Sequence, residues 1–222
     1  GVPVQGTTAG PGNATRLSAK RIALWDTYGG SMPSGHTRWL LEQFEFPFDV
    51  VYAPTIDAGN LKAKYDVIVF VTGAIPAARR EGGSELSAMM ERFNRQPAPN
   101  EIPAQYRPWI GRMSADKSVP QVKQFLEAGG TVITVGTSTN LAFHLGLPVY
   151  DYLVEKTPAG EERELPREKF YVPGSILRAS VDNSVPVAYG LDAETDVFFD
   201  DSPTFRLGPD AALKGVRPVA WY

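Results

Sequence analysis

Two hydroxyl side chains follow an apolar strand in the middle of this chain, where the sequence could place a nucleophile. The predicted buried strand 131–135 is followed by Gly136, Thr137 and Ser138, which we call the 136–138 turn. In α/β domains a sharp strand-to-helix turn of this kind can carry a reactive serine or cysteine. Because the chain has no cysteine, Thr137 and Ser138 are its candidate nucleophiles. Acyl transfer or hydrolysis is the chemistry that they would perform.

A hydroxyl nucleophile needs a base to take its proton, and the chain has only 2 histidines. His36 lies in the first turn of a predicted helix, in a different loop from Thr137 and Ser138. His144 lies among apolar residues of a short helix, which indicates a structural role. A capping or solvent-exposed His36 is the main interpretation. A triad-like Ser/Thr hydrolase that uses His36 as the base is the alternative.

The same two histidines do not fit the usual zinc patterns. A His-x-x-Glu pair is absent, since Trp39 and Leu147 occupy the third positions after the histidines. Thiolate ligands are absent because there is no cysteine. We therefore expect no metal and no cofactor in this chain.

The elements that must position these residues form an alternating pattern. Predicted strands are separated by predicted helices at residues 31–44, 57–64, 119–128 and 140–145. This alternation predicts an α/β fold with a doubly wound, mainly parallel sheet and helices on both faces. The last third of the chain predicts extra, antiparallel strands that would extend the sheet at one edge. They are expected at residues 147–156, 169–181, 196–199 and 216–222.

Two parts of this pattern carry further expectations. The first helix has four apolar residues that we expect to form its buried face: Trp39, Leu40, Leu41 and Phe44. The long connection 74–118 carries a predicted helix at 85–94 and a proline-rich stretch at 96–108. Because a connection of this length is usually functional or covers something, we expect it to pack over or beside the carboxyl edge of the sheet.

Ligands of open α/β sheets bind beyond the carboxyl ends of the strands. The loops expected there supply these candidate ligand-binding residues: Asp26, Thr27, Ser34, Gly35, Thr72 and Gly73. Ordinary capping and turn roles are their main interpretation. Residues 32–37 partly match the phosphate loop of flavodoxins, so a small-anion or flavin-binding module is a further alternative.

The composition excludes several classes of function. The chain has 222 residues, of which 43% are hydrophobic, and a net charge of −3. This composition suits a folded domain and offers no basic surface for nucleic acid. No apolar run reaches the roughly 20 residues that span a bilayer, and no signal peptide is recognisable. A homo-oligomer is compatible with these values.

The two ends of the chain have the features of an excised segment. Residues 1–19 have the composition of a linker or tag remnant, and residues 20–222 are expected to form a single domain. Gly1 is not a natural translation start, and the chain stops within an apolar run. We therefore expect a longer parent protein.

Several spaced motifs resemble one known domain over roughly residues 20–222. The motifs are WD (25–26), SMPSGHTRWLLEQF (31–44), AGNL (58–61), YDVIV (65–69), FLEAGGT (125–131) and FYVPGSIL (170–177). Together they resemble the class I glutamine amidotransferase-like C-terminal domain of bacterial zinc carboxypeptidases.

The resemblance implies a three-layer, flavodoxin-like fold. It also implies a parent that is exported, to the periplasm or the extracellular space, and that hydrolyses peptides with a linked N-terminal peptidase domain. Glutamine hydrolysis in this fold uses a cysteine, a histidine and an acid. This chain has no cysteine and no histidine after His144. We interpret it as a non-catalytic accessory domain that helps the peptidase with stability, assembly or substrate contact.

Overall fold

The computed structural model describes residues 6, 8, 10, 12, 18–78, 96–158, 160, 162–172, 174–199 and 202–222. The strands are β1 (Ile22–Trp25), β2 (Phe48–Val51), β3 (Val67–Phe70), β4 (Thr131–Thr134), β5 (Val149–Asp151), β6 (Val154–Lys156), β7 (Glu162–Glu164), β8 (Ser175–Val181), β9 (Glu194–Phe199), β10 (Phe205–Leu207) and β11 (Ala220–Trp221). The α-helices are α1 (Met32–Gln43), α2 (Ala53–Asp57), α3 (Leu61–Lys64), α4 (Ser118–Glu127) and α5 (Leu141–His144). Among the described residues, none of these helices has the length and apolar character needed to cross a membrane.

The first four strands form one parallel sheet in the order β2-β1-β3-β4. Ile22 of β1 lies opposite Phe48 of β2 and Val67 of β3, and Val67 lies opposite Thr131 of β4. The connection from β1 leads to β2 at one edge of the sheet, whereas the connections after β2 lead the other way, to β3 and then to β4. Right-handed connections therefore place α1 on one face and α2, α3 and α4 on the other. The predicted α/β class, with a three-layer, flavodoxin-like parallel sheet, is confirmed.

The main core surrounds the two central strands. Leu24 of β1 and both Ile68 and Phe70 of β3 have no exposed surface. Val122 and Phe125 of α4 are three residues apart, so they share one helix face, and both are buried in the same core. Burial of each such side chain contributes about 1.5–3 kcal/mol. The continuous apolar run in β3 reflects this position, since a central strand has helices or sheet neighbours on every side.

Helix α1 does not bury the residues that the sequence predicts. Trp39, Leu40 and Phe44 are exposed, Leu41 is half-buried, and Ser34 is the buried residue of the helix. Ser34 and Leu41 are seven residues apart, so they face the sheet together. Because Trp39 and Leu41 are separated by about 200° around the helix, burying Leu41 turns Trp39 outward.

The helix predicted at 57–64 consists of two short helices, α2 and α3. Gly59 and Asn60 lie between them with φ of +69° and +51°, a left-handed conformation that an α-helix cannot include. Asp57 ends α2, and its carboxylate accepts a hydrogen bond from the Ser118 hydroxyl at 2.6 Å. The helix predicted at 85–94 lies outside the described residues.

The last third of the chain does contain extra strands, but they form separate antiparallel sheets and do not extend the central one. In the described part of this region, β5 pairs with β10, β6 pairs with β7, and β8 pairs with both β9 and β11. Arg178 and Asp196 form an ion pair across β8 and β9 at 3.0 Å. Strands β7 and β10 were not predicted, because a strand of three residues is too short to produce a recognisable alternation.

An ion pair at the amino end of the sheet makes the stability depend on pH. The Arg21 side chain donates to Asp66 at 3.0 and 2.9 Å, and its backbone N–H donates at 3.1 Å. These hydrogen bonds, with Lys62 nearby, hold the pKa of Asp66 well below its usual value. A lowered folded-state pKa stabilises the fold above the unfolded pKa of about 3.9, and this contribution is lost as the pH falls below it.

We therefore expect the stability difference between the wild type and Asp66→Asn to shrink as the medium becomes more acidic. Urea unfolding of both proteins between about pH 6 and about pH 2 measures it. A difference that stays constant over this range would show that the Asp66 charge does not contribute.

Candidate functional site

The carboxyl ends of β1, β3 and β4 lie side by side, because these strands are parallel neighbours in the sheet. Asp26, Thr72 and Thr137 follow these three strands and so lie at one edge, which we call the rim. A hydrogen bond links two of the loops, since the Gly73 N–H donates to Thr137 Oγ1 at 2.9 Å. The predicted convergence of the three loops is therefore observed.

The Ser138 hydroxyl uses all its hydrogen-bonding capacity on the loop that follows β3. Its side chain has no exposed surface. Its Oγ accepts hydrogen bonds from the N–H groups of Ala74 and Ile75 at 3.1 and 3.2 Å. The hydroxyl proton is donated to the carbonyl of Val71 at 2.5 Å. Since a hydroxyl has one proton and two lone pairs, no hydrogen-bonding capacity remains for a substrate.

Asp26 has a similar internal role in the loop between β1 and α1. The residue is buried, and its Oδ1 accepts from the N–H groups of Thr27 and Ser31 at 2.8 and 3.0 Å. Ser31 then caps α1, because its Oγ accepts from the Ser34 N–H at 3.3 Å. Loop amides that could bind an anion are thus directed at a carboxylate of the chain itself.

The remaining candidate residues of α1 differ in exposure. Gly35 and His36 are exposed. Ser34 has no exposed surface, and its Oγ has no hydrogen-bond partner in the described structure. Among the described residues, no hydrogen bond joins His36 to Thr137 or Ser138. The structure therefore brings the nucleophile candidates to the rim without connecting them to a base.

The described part of the long connection lies against the rim. Gln96 bridges two segments: its Nε2 donates to Thr27 Oγ1 at 2.7 Å, and its Oε1 accepts from the Gly111 N–H at 2.7 Å. Trp109 stacks on Tyr52, which follows β2, with ring centroids 5.0 Å apart. Burial, followed by the nearby Asp26 charge, raises the pKa of the Tyr52 phenol above its usual value. The connection lies beside the rim, as its length and composition suggest.

The second histidine has a structural contact. The Nε2 atom of His144 lies 2.9 Å from the carbonyl oxygen of Pro76, which ties α5 to the loop after β3. Across the described ranges, no group of three or more histidine, aspartate or glutamate side chains is placed to hold a metal ion.

Two residues have roles at the rim that the sequence did not predict. Gly136 has a φ of +57°, and a Cβ atom there would lie 2.1 Å from Thr72 Oγ1. Glycine is therefore required for the close approach of the β4 and β3 loops. Gln96 is the other, and a single glutamine in a proline-rich stretch gives no signal of a bridging role.

Comparisons with known proteins give little further information. No family model and no curated protein matches the chain. One similar solved structure is the 2.45 Å crystal structure of a Thermoplasma acidophilum protein provisionally named as a GMP synthase subunit. The identity is 14% and the TM-score is 0.45, over 88% of this chain and 71% of that chain. A function for this chain therefore has to be inferred from its own residues.

Proposed function

We propose that this chain is a non-catalytic, amidotransferase-like accessory domain that acts beside a linked zinc carboxypeptidase domain. The observation that carries the non-catalytic part is the Ser138 hydroxyl. It occupies the turn where a nucleophile would lie, and it is buried with its proton and both lone pairs engaged. A nucleophile must instead present a lone pair to the substrate and pass its proton to a base.

The hydrogen-bond donors of the rim support the same conclusion. Acyl transfer requires free N–H groups aimed at the developing oxyanion. Around the 136–138 turn, the N–H groups of Gly73, Ala74 and Ile75 donate to Thr137 and Ser138. These donors hold the loop together, and binding an oxyanion there would require breaking those bonds.

The link to a peptidase is supported by the sequence motifs. The motifs that resemble the amidotransferase-like domain of bacterial zinc carboxypeptidases are spread from residue 25 to residue 177 of the 222. In this proposal the parent protein is exported and hydrolyses peptides in its other domain. The present domain contributes stability, assembly or contact with the substrate, and it supplies no reacting group.

We expect this chain to release no glutamate from glutamine and to hydrolyse no activated ester such as p-nitrophenyl acetate. Both rates should equal those of buffer and should be unchanged in Ser138→Ala and Thr137→Ala, because neither hydroxyl has a base. Thr137 is the sharper test, since its side chain is exposed. An activity that Thr137→Ala abolishes without changing the melting curve would contradict the proposal and favour the Ser/Thr hydrolase.

The longer protein itself tests the proposed link to a peptidase. The longer protein should contain zinc and have peptidase activity. Deleting the present domain should leave both in place and should lower the melting temperature of the remaining protein. A longer protein without a His-x-x-Glu segment would contradict the peptidase link while leaving the non-catalytic assignment unaffected.

A further inference from the structure

We draw no further inference here: the strongest candidate, the exposed apolar side of helix α1 formed by Met32, Trp39, Leu40 and Phe44, rests on side-chain exposure alone, because nothing in the structure shows what covers it.

Discussion

Replacing Ser138 by alanine is expected to lower the free energy of unfolding by about 2–4 kcal/mol. The substitution removes the acceptor for the N–H groups of Ala74 and Ile75 and the donor to the Val71 carbonyl. All three backbone groups are at a buried position, and a buried polar group without a partner costs about 1–3 kcal/mol. The expected loss is smaller than the sum of three such costs, because the loop can partly relax around the smaller side chain.

Urea unfolding of Ser138→Ala measures this effect, and Thr137→Ala provides the control. Thr137 is exposed and accepts one hydrogen bond, from Gly73, so its replacement should cost no more than about 1 kcal/mol. A nucleophile would give the opposite pattern, because catalytic side chains are usually replaced with little loss of stability and a large loss of rate. If Ser138→Ala were as stable as the wild type, the assignment of a structural role to this hydroxyl would be wrong.

The sequence predicted the order of the central elements well because buried strands have a strong local signal. The β3 run is apolar at every position, and the strand is buried on both faces. For α1 the signal was misleading. Trp39 and Leu40 are apolar, but the rotation of the helix is decided by its contact with the sheet at Ser34 and Leu41. That contact depends on residues distant in the sequence, so local periodicity could not predict it.

At the rim, too, the sequence predicted the position of the loops but not the contacts between distant residues. The sequence placed Asp26, Thr72 and Thr137 at one edge, because parallel strands with right-handed connections end on the same side. It could not show that the Ser138 side chain turns inward onto the β3 loop, since its partners lie 63 to 67 residues earlier in the chain. Edge strand β4 was also expected to be buried. Its apolar composition is equally compatible with a central strand and with an edge that meets another molecule.

Gly136→Ala is expected to destabilise the chain by about 2–4 kcal/mol, from two separable causes. The first is backbone strain, since φ is +57° at this position and an L-residue in that region costs roughly 1–2 kcal/mol. The second is a steric clash, because the new Cβ would lie 2.1 Å from Thr72 Oγ1. Thr72 is β-branched, so its side chain has few alternative rotamers with which to move away.

A double-mutant cycle separates these two causes. Gly146→Ala is the matched control for strain alone, because φ is +66° there and no atom lies within 4 Å of the added Cβ; it should cost about 1–2 kcal/mol. Thr72→Ala alone should have a small effect, since Thr72 is exposed. In the Gly136→Ala, Thr72→Ala double variant, the nearest remaining Thr72 atom is the Cβ at 3.3 Å, so the loss should fall to that of Gly146→Ala. The double variant should therefore be about 1–2 kcal/mol more stable than the sum of the two single losses predicts. Urea unfolding of the wild type, the two single variants and the double variant measures this coupling. Additive losses would mean that the β3 and β4 loops are not in contact at the rim, and the internal bonding that makes Ser138 unavailable for chemistry would then be wrong as well.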